Sequence, residues 1–147
     1  MPVSAPRKAA KVTATVPATE TLIVFPNGLV GQPDWKQFIL LTPEGDATIQ
    51  VLKSTEHAEL ALMVANPGQI VENYRVPLTG EERSALELEA DEQPTVLCTI
   101  SIHNNVITTN LVGPLVVNSR NRLGAQVVVI DSPYSTRHPV AQLGAQA

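Results

Sequence analysis

A chain of 147 residues with 44% apolar side chains suffices for one hydrophobic core and is short for two. A formal charge of −4 and a pI near 5.3 argue against binding by neutralisation of many phosphates, so nucleic acid is not an expected direct partner. The longest apolar runs are broken by Pro, Asn or Gln, which excludes a membrane-spanning helix.

Aromatic residues make up only 3% of the chain, so the core must be built mainly from Val, Ile, Leu and Ala, a bias that favours strands. Residues 1 to about 20 have no sustained period and carry Arg7, Lys8 and Lys11 against Glu20; they are expected to form a disordered arm. Thr13, Thr15 and Pro17 interrupt any apolar stretch after the basic residues, so export is not expected.

The folded body is expected over residues 21–140. Its first strand, Leu22–Phe25, is stopped by the turn residues Pro26, Asn27 and Gly28. Further runs at Phe38–Leu41, Ala47–Leu52 and Leu60–Ala65 read as an antiparallel meander, with a tight hairpin at Pro43, Gly45 and Asp46. Thr79, followed three residues later by Glu82, has the form of a capping box and opens a helix predicted from Gly80 to about Glu89. Ala85, Leu86 and Leu88 would give that helix an apolar stripe to pack on a sheet.

Four more strands are predicted near Thr95–His103, Val106–Val112, Leu115–Asn118 and Ala125–Ile130. Eight short strands and one short helix in about 120 residues give a mostly β, single-domain fold: a coiled antiparallel sheet or partly closed β-barrel, since closure removes exposed edges. The lone Cys98 lies inside the apolar run Val96–Ile102 and reads as a buried thiol of a reducing compartment. Residues 141–147 have little to bury and read as a mobile tail.

Catalytic signals are sparse. Asp131, Ser132 and His138 form the best trio, yet no sharp nucleophile turn frames Ser132. His57, His103 and His138 have no Cys or carboxylate at a metal-like spacing, and there is no phosphate-loop or dinucleotide motif, so no catalytic residue, metal or cofactor is assigned. Arg120 and Arg122, one residue apart, would share a face of a strand and offer an anion grip. The acidic stretch Glu87, Glu89, Asp91 and Glu92 is either a docking surface or a solvated helix end. The segment from Asp131 to Pro139 carries Tyr and Arg side chains typical of interface centres; equally, an Asp131–Arg137 pair would simply pin it to the barrel.

From Leu22 to Val140 the chain resembles the bacterial flagellar assembly factor FliW family. Phe25-Pro26-Asn27-Gly28-Leu29-Val30-Gly31 is similar to the family's F-P-x-G-L-x-G opening, and Asn110–Asn118 to its N-L-x-A-P-I-V-I-N stretch. Asp131–Pro139 is similar to its D-S-x-Y-x-x-R-H-P ending. Gln32, Lys53 and Gly113 depart from the family pattern, which usually has Phe, Gln and Ala there.

The resemblance implies a non-enzymatic cytoplasmic partner switch that binds flagellin, and also binds and antagonises the translational regulator CsrA, coupling flagellin synthesis to export. A monomer is expected when free. Removing Arg7, Lys8, Lys11 and Glu20 from the ten basic and fourteen acidic residues leaves seven and thirteen, a formal −6 on the body, which suits a basic RNA-binding partner. Asn118, Arg122, Tyr134, Arg137 and His138 are the partner-surface candidates. The alternatives are a cyclic-dinucleotide-type barrel, a flagellin chaperone without CsrA binding, and a small hydrolase on the Ser132 cluster.

Overall fold

A computed structural model describes residues 18–43, 49–130 and 132–140. The predicted arm up to residue 17, the hairpin about Gly45 and Asp46, the Asp131–Arg137 pair and the tail all lie outside the described residues.

Among the described residues there are nine strands: β1 (Ala18–Val24), β2 (Gln37–Pro43), β3 (Gln50–Ser54), β4 (Ala61–Ala65), β5 (Thr95–His103), β6 (Val106–Thr109), β7 (Leu115–Asn118), β8 (Leu123–Gln126) and β9 (His138–Pro139). Helix α1 (Gly80–Ala85) and a 3-10 turn at Pro67–Gln69 complete the elements. Strands β4-β3-β2-β1-β8-β7-β5 follow one another in space, and β5 pairs back to β4, closing a seven-stranded barrel-like sheet. β6 and β9 extend from β5 as a flap. Among the described residues every strand pairing is antiparallel except the parallel contact of β1 with β8, a single bridge between Val24 and Leu123. No helix of the described residues is long and apolar enough to cross a membrane.

The barrel is packed, not hollow. Ile23, Phe25, Phe38, Leu52, Val64, Leu97, Leu115 and Val117 fill it, with Phe25 and Phe38 edge to face at a centroid distance of 5.8 Å. The edge-to-face geometry sets the positive ring edge of one against the negative face of the other. Gly124 is required beneath them, because a Cβ there would come within 2.6 Å of the Phe25 ring. The Phe25-to-Gly31 turn closes with Gly28 N–H on the Phe25 carbonyl, and Gly28 has φ +71 with the Pro33 carbonyl only 2.4 Å from where a Cβ would sit.

Several boundaries differ from expectation, with β3 running on to Ser54 and the short β9 an unpredicted ninth strand, and three of the differences have a local reason. β1 begins at Ala18, three residues before the predicted body, because the whole of Ala18–Val24 zips to β2. β6 stops at Thr109 because the Asn110 side chain accepts hydrogen bonds from Val112 N and Gly113 N, both at 3.0 Å, and turns the chain. β8 lies at Leu123–Gln126 rather than Ala125–Ile130; beyond it Val127 N and Val129 N bond the Pro114 and Val112 carbonyls, so the alternation of buried Val127 and Val129 with exposed Val128 and Ile130 persists outside the ladder.

The helix is shorter than predicted. Thr79 and Glu82 form the capping box, with Glu82 N on Thr79 Oγ1 at 3.0 Å and Thr79 N on Glu82 Oε1 at 2.8 Å. At the other end Glu87 adopts φ 59, Glu87 N bonds the Ser84 carbonyl and Leu88 N the Arg83 carbonyl, the paired bonds of a Schellman stop. Ala85 is consequently exposed; Leu86 carries the burial, against Val116 and Val127.

Candidate functional site

The five sequence candidates fall in two settings. The first is the turn after β7. Asn118 is fully buried, and its amide donates to the Leu86 carbonyl at 2.8 Å and the Glu87 carbonyl at 3.3 Å. These carbonyls at the end of α1 have no intrahelical partner, so Asn118 satisfies them from outside the helix. Its own oxygen accepts from Arg120 N at 2.9 Å, and its backbone carbonyl from Arg122 N at 2.7 Å. Asn118 is therefore sealed from solvent and shapes the turn that carries Arg120, Asn121 and Arg122.

Arg120 and Arg122 do not share a strand face, because both sit in that turn and Arg122 adopts φ 65. Arg120 reaches back to the segment after α1, with Nε on Glu92 Oε2 at 3.1 Å and Nη2 on the Glu87 carbonyl at 2.6 Å. Arg83 does the same from the helix, its Nη2 donating to the Glu89 carbonyl at 2.6 Å and the Glu92 carbonyl at 3.0 Å. The Arg120 hydrogen bond, then the Glu89 backbone, hold the Glu92 carboxyl below the usual carboxylate range. Three of the four residues of the predicted acidic docking stretch are thus engaged internally, Glu92 by Arg120, Glu89 by the same guanidinium at 3.9 Å and Glu87 by Asn121 at 3.1 Å. Arg122 is left exposed, its carbonyl accepting from Val24 N at the β1–β8 seam.

The second setting is the C-terminal segment. Tyr134 packs on Tyr74 with ring centroids 4.7 Å apart, and the Tyr74 hydroxyl donates to the Leu111 carbonyl at 2.6 Å. The Ser135 carbonyl accepts from Leu111 N at 3.0 Å. Ser132 Oγ accepts from Tyr134 N at 3.3 Å, and His138 lies in β9 opposite Thr109. Arg137 is exposed and Tyr134 and His138 half-buried.

Cys98 is buried as the sequence predicted, whereas the role of Tyr74 beside it was not foreseen. Burial first pushes the Cys98 thiol up to about 12, the Tyr74 hydroxyl opposing, and raises the Tyr74 phenol as well. Tyr74 stands in an irregular stretch with no periodicity, so nothing local marks it as the floor of the C-terminal segment. Arg83 was equally hidden, since its acceptors are backbone carbonyls, which have no sequence signature, and Arg120, read as an anion grip, has the Glu92 carboxylate of this chain as its partner.

Comparison with known proteins bears on what this arrangement serves. The family description "FliW protein" matches residues 8–140. The chain is 32% identical over 124 residues to the flagellar assembly factor FliW of Natranaerobius thermophilus, covering 82% of each chain. It is 37% identical over 120 residues to that of Bacillus licheniformis, covering 80% of this chain and 84% of the relative. A crystal structure of the flagellar assembly factor FliW superposes with a TM-score of 0.74 at 25% identity, over 82% of this chain and 85% of that one. With a matching family model over most of its length, relatives above 30% identity and the same barrel, the chain belongs to the FliW family of flagellar assembly factors.

Proposed function

We propose that the protein is a cytoplasmic, non-enzymatic partner switch: it binds flagellin, and when free of flagellin it binds CsrA and relieves repression of flagellin synthesis. The observation that carries this reading is the family match across residues 8–140. The formal −6 of the body supports the CsrA arm, since a protein that binds RNA needs a basic surface, and opposite charge speeds encounter.

The surface assigned to partners is the exposed part of the two settings, Arg122 on one and Tyr134, Arg137 and His138 on the other, with Asn118 acting from beneath. Tyr and Arg combine large contact area with directional hydrogen bonding, which is why such residues concentrate interface energy. The test is a titration of the purified protein, as a monomer by sedimentation, against flagellin and against CsrA, separately and together. Binding to both with mutual exclusion is expected. Binding to flagellin alone makes the protein a dedicated chaperone, and binding to neither overturns the proposal.

A further inference from the structure

Strand β5 outlasts its neighbour β4, and the stretch left uncovered faces a groove. Asn110 N donates to the Thr99 carbonyl, which directs the backbone groups of odd-numbered β5 residues toward β6 and β7. Even-numbered residues face β4, whose pairing ends at Ala65 opposite Cys98. Beyond it the chain leaves the sheet, with the Asn66 side chain accepting from Gly68 N at 2.8 Å and capping the 3-10 turn. The Val96 N–H and C=O and the Pro94 C=O therefore point to an edge with no strand beside it.

Two adjoining recesses, of about 520 and 340 Å³, lie along this edge and share Tyr74, Val76, Pro94 and Val96. Their walls mix apolar side chains such as Val76, Leu78 and Val96 with polar groups in about equal measure, and the charged side chains lining them are Arg75 and Arg83, both cationic on a chain whose net charge is negative. Arg83 is held by the Glu89 and Glu92 carbonyls, whereas Arg75 is exposed and makes no ion pair among the described residues.

We propose that this groove captures a short extended segment of a partner protein, apolar in alternate positions and bearing a carboxylate at one end. The segment adds as a strand at Val96, exchanging backbone hydrogen bonds with its N–H and C=O, while two side chains enter the recesses and the carboxylate meets Arg75. Pro94 removes one donor from the edge, which keeps the addition to about one residue pair and makes the side-chain pockets, rather than the ladder, the source of selectivity. This docking mode is independent of which proteins the partner switch engages.

The test is selection of a displayed random heptapeptide library on the whole chain, followed by titration of the two strongest synthetic peptides with backbone amide shifts as the readout. Selected peptides are expected to alternate apolar residues with an Asp or Glu at one end, to shift the Val96 and Val76 amides, and to weaken at least tenfold with Arg75→Glu. A Lys in place of the peptide's acid restores binding to that variant. N-methylation of the peptide residue opposite Val96 abolishes it. Arg75 is exposed, so the variant keeps the fold, checked by its circular dichroism. Selection of peptides without acids, shifts confined to other strands, or unchanged affinity in Arg75→Glu overturns the proposal. Shifts at Val96 that grow with protein concentration alone also overturn it, because a second copy would then fill the groove.

Discussion

Asn118 donates twice to the end of a helix 31 and 32 residues away and accepts the N–H that starts the next turn. Replacing it with Ala removes the donor at 2.8 Å from the Leu86 carbonyl and the buried acceptor of the Arg120 N–H, and Asn118→Ala is expected to cost about 2–3 kcal/mol, read from the urea midpoint. If it binds partners normally once the lost stability is allowed for, its role is packing alone; weakened binding in a folded variant assigns it to positioning Arg122. Cys98 sets a pH limit. Its thiol is raised from 9.0 to about 12 in the fold, so folded-state stability is complete below pH 9 and falls as pH rises toward 12, when only the unfolded chain gives up the proton. Tyr74, raised from 10.0, adds a loss of the same sign above pH 10. Unfolding midpoints measured from pH 8 to 11 should fall, and Cys98→Ala should flatten part of that slope; an unchanged slope would show that Cys98 contributes none of it. The chemistry of Asn118 as a polar residue was readable in the sequence, but its partners were not, since they are main-chain carbonyls brought close only by packing.

The elements with local chemistry were the legible ones. The capping box at Thr79 and the turns at Asn27–Gly28 and Asn104–Asn105 are all specified within four residues, and each forms where its residues stand. Asn104 and Asn105 both adopt positive φ between β5 and β6, the two-residue hairpin geometry that Asn tolerates and β-branched residues do not. Thr79→Ala is expected to destabilise by about 1 kcal/mol through loss of the cap, and Asn105→Val by about 1–2 kcal/mol through left-handed strain, both measured by thermal unfolding. Equal stability of Asn105→Val and the parent would mean that the hairpin tip re-forms with a different turn. The helix end was misjudged because Glu87 is an ordinary helix former; its left-handed conformation comes from tertiary bonds to Asn118, Arg120 and Asn121 that outweigh propensity.

At the scale of the molecule, the succession of eight short strands with one helix indicated a coiled or partly closed sheet, since closure removes exposed edges. It carried no information on which strands meet, and the β1–β8 closure joins Val24 to a residue 99 positions later. Phe25 N on the Lys36 carbonyl fixes odd-numbered β1 residues toward β2, so the Glu20 and Leu22 amides face the seam instead. Hydrogen exchange should therefore alternate, fast at Glu20 and Leu22 and slow at Thr21 and Ile23; uniform protection along β1 would reveal a strand lying over the seam. The candidate site was half legible on the same grounds: Arg122, Tyr134, Arg137 and His138 stand where solvent reaches them, while Asn118, Tyr74 and Arg120 owe their roles to folding.

The single parallel bridge also fixes an order of events during synthesis. Strands β1 to β5 are neighbours in sequence and pair in that order, so each can join the last as it leaves the ribosome. Phe25, however, is sealed beneath Gly124, and Val24 waits for Arg122 and Leu123. For roughly a hundred residues of elongation, then, the newborn barrel stays open along one side with an aromatic ring at the gap, and closes only when its eighth strand is made.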